Sequence, residues 1–145
     1  MIAYTILKPV VALAAWTMVM WAWMYATRIP AMNEAKVDGD RLMHTPGATL
    51  DTLLPPQTQW KAHNYNHLHE APTVFYAIAL VLAISGAGGN RGTWVAWAYV
   101  VLRVLHSLVQ ATVNKVQPRF ILFVLSTLCL VVLILRAVQV LFVRG

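Results

Sequence analysis

Acidic side chains are nearly missing from this sequence. Asp and Glu number five in 145 residues, and all but Glu70 fall between Glu34 and Asp51. Charge of either sign is scarce, at 11% of the chain against 59% hydrophobic residues, and the mean hydropathy is +0.63. A soluble domain of this length needs a polar skin that this composition does not supply. The single cysteine, Cys129, excludes an internal disulfide. Set in the middle of an apolar run, it reads as a small packing residue. The first apolar run has no basic stretch before it and no small-x-small cleavage site, so it is expected to be a retained span. No internal repeat is evident. The formal net charge of +6 is scattered over the ends of apolar runs, a pattern that suits anionic headgroups or a small acidic ligand and argues against a nucleic-acid surface.

What the sequence has in quantity is long apolar runs. A helix needs about 20 mostly apolar residues to cross a hydrocarbon core roughly 30 Å thick. Tyr4–Ala26, Pro72–Ala87, Thr93–Val113 and Phe120–Val143 meet or approach that length. The second is short as written, and its helix is expected to start near Gln59. The expected spans are therefore 4–27, 59–87, 93–113 and 119–143, in one domain covering 1–145: an all-α, integral membrane four-helix bundle. Arg28-Ile29-Pro30 is expected to close the first span. A polar loop over 28–58, with Pro46-Gly47, Pro55-Pro56 and most of the acids, has room for short interfacial helices. Gly86–Gly92 reads as a tight turn, and Pro118 is placed to begin the fourth helix.

Ionisable groups at membrane depth are costly and mark an interior face or a pathway. In span three, Tyr99, Arg103, His106, Gln110 and Asn114 recur at helical spacing and share one face. Lipid cannot hydrogen-bond that face, so it must turn inward. Span two offers a second face of His63, Asn66, His67, Glu70 and Thr73. Arg103 is the natural partner for Glu70, either as a buried pair that sets how the helices dock or as part of a site. Arg119, at the start of span four, stands beside the polar end of the span-three stripe; it reads as a snorkelling arginine or as a functional one. Arg136 and Lys8 read as snorkelling at the opposite interface. His63, His67 and Glu70 have the spacing of three metal ligands on one helix face, but too few further ligands lie at that depth, and no metal is expected.

These residues resemble the MAPEG family, the membrane-associated proteins of eicosanoid and glutathione metabolism. Arg103-Val-Leu-His106, with Gln110, Asn114 and Arg119 after it, is similar to the family's third-helix Arg-x-x-His motif and the further arginine sixteen residues on. Asn66-His-Leu-His-Glu70-Ala-Pro72 is similar to its second-helix Asn/Glu/Pro signature. The resemblance implies a homotrimer with glutathione between subunits near the cytoplasmic side and lipophilic substrate arriving from the membrane. It implies that Arg119 stabilises the thiolate and that Arg28, Asn66, Glu70, Arg103, His106 and Gln110 hold the cofactor. There are departures. The spacings here are Asn-x-x-x-Glu and Glu-x-Pro where the family usually has Asn-x-x-Glu and a later proline; Lys61 imperfectly represents an expected basic residue; and Gln110 and Phe123 stand where members often carry tyrosine. The pattern is that of a divergent bacterial-type branch.

The expected function is a membrane-embedded, glutathione-dependent transferase or peroxidase-like activity on lipophilic substrates. The alternatives are a non-catalytic membrane subunit or lipid-binding protein with the same fold, and a metal-dependent membrane oxidoreductase. The basic residues also set orientation. Arg28, Lys36, Arg41, Lys61, Lys115 and Arg119 fall on the long-loop side, against Lys8, Arg91, Arg144 and nearby Arg136 on the other. This predicts a multi-pass protein of the bacterial inner membrane with the long loop cytoplasmic. In a Cys129→Ala background, an impermeant maleimide should label Asn90→Cys in intact spheroplasts and Ala48→Cys only after they are opened; the reverse pattern would invert the topology.

Overall fold

In hydrocarbon a backbone must satisfy its own N–H and C=O groups, and a single segment does so only as a helix. The computed structural model describes residues 1–143 and is all-α, with no strand among the described residues; Arg144 lies outside them. A short 3₁₀ turn, Tyr4–Ile6, leads into α1 (Leu7–Glu34). Two small helices follow, α2 (Gly39–His44) and α3 (Leu50–Leu53), then α4 (Pro56–His67), α5 (Ala71–Ile84), α6 (Asn90–Thr112) and α7 (Val116–Val138), which runs on into a wider π-helical turn over Gln139–Val143. Four segments are long and apolar enough to cross a membrane: Tyr4–Glu34, Pro56–Ile84, Asn90–Thr112 and Val116–Val143. The chain is thus a membrane-helix bundle.

The helix ends differ from the sequence expectations for local reasons. Pro30 does not stop α1, which continues to Glu34. A 28-residue helix is about 42 Å long, so Pro30 falls in a last turn beyond what a core of roughly 30 Å requires. The stop is instead a Schellman motif: Lys36 is left-handed (φ 49°), its N–H meets the Asn33 carbonyl, and the Val37 N–H meets that of Met32. The long loop holds the anticipated short helices. Asp38 caps α2 by accepting from the N–H groups of Asp40 and Arg41.

Span two is two helices rather than one. Pro72 has no N–H to offer the Leu68 carbonyl, and its ring crowds that carbonyl. The chain therefore breaks over Leu68–Glu70 and restarts at Ala71, with the Thr73 N–H and hydroxyl both closing onto the Glu70 carbonyl (3.1 and 2.6 Å).

Each helix buries one stripe. In α1 it is Leu13, Thr17, Met20 and Met24; in α5 Phe75, Ala79 and Leu82; in α7 Ser126, Leu130, Leu133 and Ala137. The α6 stripe contains Ala96, Tyr99, Val100, Arg103, His106, Ser107 and Gln110, which makes α6 the polar spine against which α1, α4 and α7 pack. Phe75 of α5 stacks on Tyr99 of α6, ring centroids 4.4 Å apart. Between membrane helices the hydrophobic effect contributes little, so such close packing and interhelical hydrogen bonds carry the association. One of those bonds joins two fully enclosed side chains, with the Asn64 amide of α4 donating to the Ser107 hydroxyl of α6 (2.5 Å).

The end of the bundle away from the long loop is tightly fastened. The Ala3 N–H bonds the Ala83 carbonyl, and the Thr93 hydroxyl bonds the Gly88 carbonyl. A Cβ on Gly88 would come within 2.6 Å of the Ile6 side chain, which is fully buried. The reading of Arg136 as a snorkelling residue is corrected here. It is half-buried, and its Nε–H donates to the Ala87 carbonyl (2.9 Å), because the turn leaves that carbonyl without a helical donor. Two outcomes follow for melting in detergent. Gly88→Ala should destabilise by about 1–3 kcal/mol through overpacking against Ile6. Ser107→Ala should cost about 1–3 kcal/mol by stranding the Asn64 amide, and Asn64→Leu added to it should recover part of the loss.

Candidate functional site

The break in span two, the second half of α6 and the first turns of α7 enclose a cleft of about 340 Å³ lined by His67, Glu70, His106, Val116, Arg119, Phe120 and Phe123. Its depth follows from helix rise. The 14 residues of α5 rise about 21 Å from the far turn, which sets the break inside a core roughly 30 Å thick. Arg103 lies about 20 Å along α6 from Asn90, level with the break. Irregular backbone at that depth is tolerated only where it is enclosed in protein or lines a cavity, and here Glu70 of the break lines the cleft.

Arg119 and His106 form one wall. His106 is 5% exposed, and its Nδ1 lies 3.0 Å from the Arg119 main-chain carbonyl. A carbonyl can only accept, so Nδ1 carries the hydrogen and Nε2 keeps its lone pair. That Nε2 is enclosed and has no protein partner. The Arg119 side chain is half-buried and donates from Nη1 to Oδ1 of Asn114 (2.5 Å). Val116 and Phe120 are 72% and 64% exposed. They give the cleft an apolar side on the outer surface of the helices, and Phe123, also exposed, continues that wall further along α7.

Arg103 stands one layer behind. It is 4% exposed, lies 6.0 Å over the Tyr99 ring, and donates from Nη2 to the main-chain carbonyl of His67 (3.3 Å). The anticipated Glu70–Arg103 ion pair is not formed. Among the described residues the ion pairs are Arg41–Asp38 and His63–Asp51. The break explains the substitution of partners. In an unbroken helix the His67 carbonyl would take the Ala71 N–H; at the break it takes the Glu70 N–H (3.3 Å) and Arg103 as a second donor, while Glu70 turns to the exposed face.

The stripe anticipated on span two is also corrected. His63, Asn66, Glu70 and Thr73 are exposed in the single chain and His67 is half-buried. The inward rank of α4 is Thr58, Gln59, Ala62 and Asn64, followed by Leu68. One continuous phase cannot be drawn through a span that breaks over Leu68–Glu70 and restarts at Ala71. Small Ala62 and apolar Leu68 settle which side packs.

Of the residues singled out from sequence, Arg119, His106 and Glu70 line the cleft and Arg103 braces it from behind. Gln110 is 2% exposed, with its Oε1 unpartnered, and does not reach the cleft. Asn66 and Arg28 lie outside it. Arg28 is half-buried with Nε enclosed and unpartnered. Sequence reasoning missed the Asn64–Ser107 bond, for which a small hydroxyl residue in the α6 stripe was the available signal. It also missed the contribution of His67 through its carbonyl, for which Pro72 was the signal. No three His, Cys, Asp or Glu side chains converge among the described residues as a metal-ligand set, and His63 is engaged by Asp51 (3.3 Å).

No curated protein and no solved structure matches the chain. The family model described as the MAPEG family does match, over residues 6–139 of 145, and with a four-span helical bundle, an inward polar stripe on α6 and the arginine that follows it, the chain belongs to the MAPEG family.

Proposed function

We propose that this protein is a glutathione-dependent membrane transferase or peroxidase acting on lipophilic substrates, assembled as a homotrimer in a bacterial inner membrane with the long loop cytoplasmic. The observation that carries the reading is the cleft itself, which joins the side chains of Arg119, His106 and Glu70 to an apolar side formed by Val116 and Phe120. Of a tripeptide thiol, the ammonium finds the Glu70 carboxylate and the thiolate finds Arg119. A lipophilic partner reaches the same space from the membrane.

Arg119 acts on the sulfur. A cation beside a thiol lowers its pKa and raises the fraction present as thiolate, which is the nucleophile. In conjugation the thiolate forms a carbon–sulfur bond, the leaving group departs with the bonding pair, and the thiol proton passes to water at the loop end. With a hydroperoxide, attack by the thiolate on the terminal oxygen would break the O–O bond and release the alcohol once the alkoxide takes a proton, and a second thiol would displace the hydroxyl from sulfur as water to give the disulfide. His106 holds the Arg119 main chain through Nδ1. Arg103 holds the wall by pinning the His67 carbonyl, and Gln110 supports α6 behind it.

The trimer rests on a separate physical argument. His63, Asn66, Glu70 and Thr73 form a polar outer face on a span long and apolar enough to cross a membrane. Hydrocarbon cannot satisfy such a face, and a neighbouring copy can. In that arrangement Arg28 and Asn66, outside the cleft of their own chain, meet the ligand from the subunit boundary.

A ligand that binds only the native state stabilises it by about 2.7 kcal/mol at a hundred times its Kd. Glutathione should therefore raise the melting temperature of the purified protein in detergent. Arg119→Ala should reduce conjugation of a lipophilic electrophile by at least about tenfold, the effect of one pKa unit on the thiolate. Absence of any glutathione-induced shift in wild type, together with full turnover by Arg119→Ala, would exclude the reading.

A further inference from the structure

Arg119 is held twice by α6. Its main-chain carbonyl takes the Nδ1–H of His106 (3.0 Å). Its guanidinium is taken by Asn114, the residue that ends α6 in the left-handed region (φ 49°) with its own N–H on the Val109 carbonyl (2.7 Å). Asn114 Oδ1 accepts from Arg119 Nη1 at 2.5 Å, and both side chains are half-buried. We propose that Asn114 is a positioning residue for Arg119, fixing the guanidinium against the cleft so that its charge falls on the sulfur of a bound thiol. The inference rests on the thiol-binding reading above.

Arg119 lies in the first turn of α7, close to the loop-side boundary. A long arginine stem at that position extends toward water and headgroups unless something holds it. The left-handed turn needs only a residue that tolerates positive φ, and Gly or Asn both do. Asn adds an amide oxygen at the right place. That oxygen is neutral, so it orients the guanidinium without cancelling its charge. A carboxylate there would hold the arginine as firmly and neutralise it.

These roles separate experimentally in the full-length protein in detergent. Asn114→Gly keeps the turn and removes the oxygen; Asn114→Asp keeps an acceptor and adds a negative charge. The readout is the pH titration of the thiolate ultraviolet absorbance of bound glutathione, with melting temperature recorded beside it. Asn114→Gly should melt near wild type and raise the thiol pKa by about one unit, a tenfold loss of thiolate on the acid side of its titration. Asn114→Asp should raise the thiol pKa too, although it retains the hold. In an Arg119→Lys background, Asn114→Gly should have no further effect, since residues acting through one contact are not additive. An unshifted thiol pKa in Asn114→Gly, or additive effects in the double variant, would overturn the positioning role. Wild type that binds no glutathione would overturn the thiol reading instead.

Discussion

Hydrocarbon offers no hydrogen bonds, and the arrangement of this bundle follows from that single constraint. The α6 helix brings an arginine, a histidine, a glutamine, a serine and a tyrosine to one face. The only place for that face is against the other helices. Once α6 is turned this way, the Asn64 amide of α4 meets Ser107, and the His67 carbonyl at the break meets Arg103. The cleft lies where this inward polar spine comes closest to the first turns of α7. The site is thus a product of polar groups seeking partners inside a bilayer, set at the one depth where the backbone of span two is irregular.

Much of this was legible in the residues. Hydropathy alone located four spans, because the length of an apolar run is a direct measure of what a bilayer needs. The α6 face was legible from its offsets, since Tyr99, Arg103, His106 and Gln110 stay in phase on an uninterrupted helix, and all four are buried. Span two was legible in extent and illegible in phase. Its polar residues are dense enough to draw several stripes through, and the choice among them depends on Pro72, which divides the helix, and on the packing of Ala62 and Leu68. The Glu70–Arg103 pairing failed for the same reason. Charge complementarity named a partner, and the His67 main-chain carbonyl at the break took its place.

Arg136 carries a different lesson. Its spacing from Arg119 along the fourth span correctly put it at the far end of the bundle, but the Ala87 carbonyl that it meets belongs to a turn between two other helices. Tertiary partners of that kind leave no periodic trace in sequence. The same holds for Gly88, whose lack of a side chain matters only because Ile6 from the N-terminal turn packs against it.

The contact between Arg103 and the His67 carbonyl has a consequence for biogenesis. Span two is synthesised and reaches the bilayer before α6 does, and until then the His67 carbonyl has only the Glu70 N–H and Asn64 has no Ser107. The second span is therefore a provisional occupant of the membrane, completed by a helix that emerges later from the ribosome.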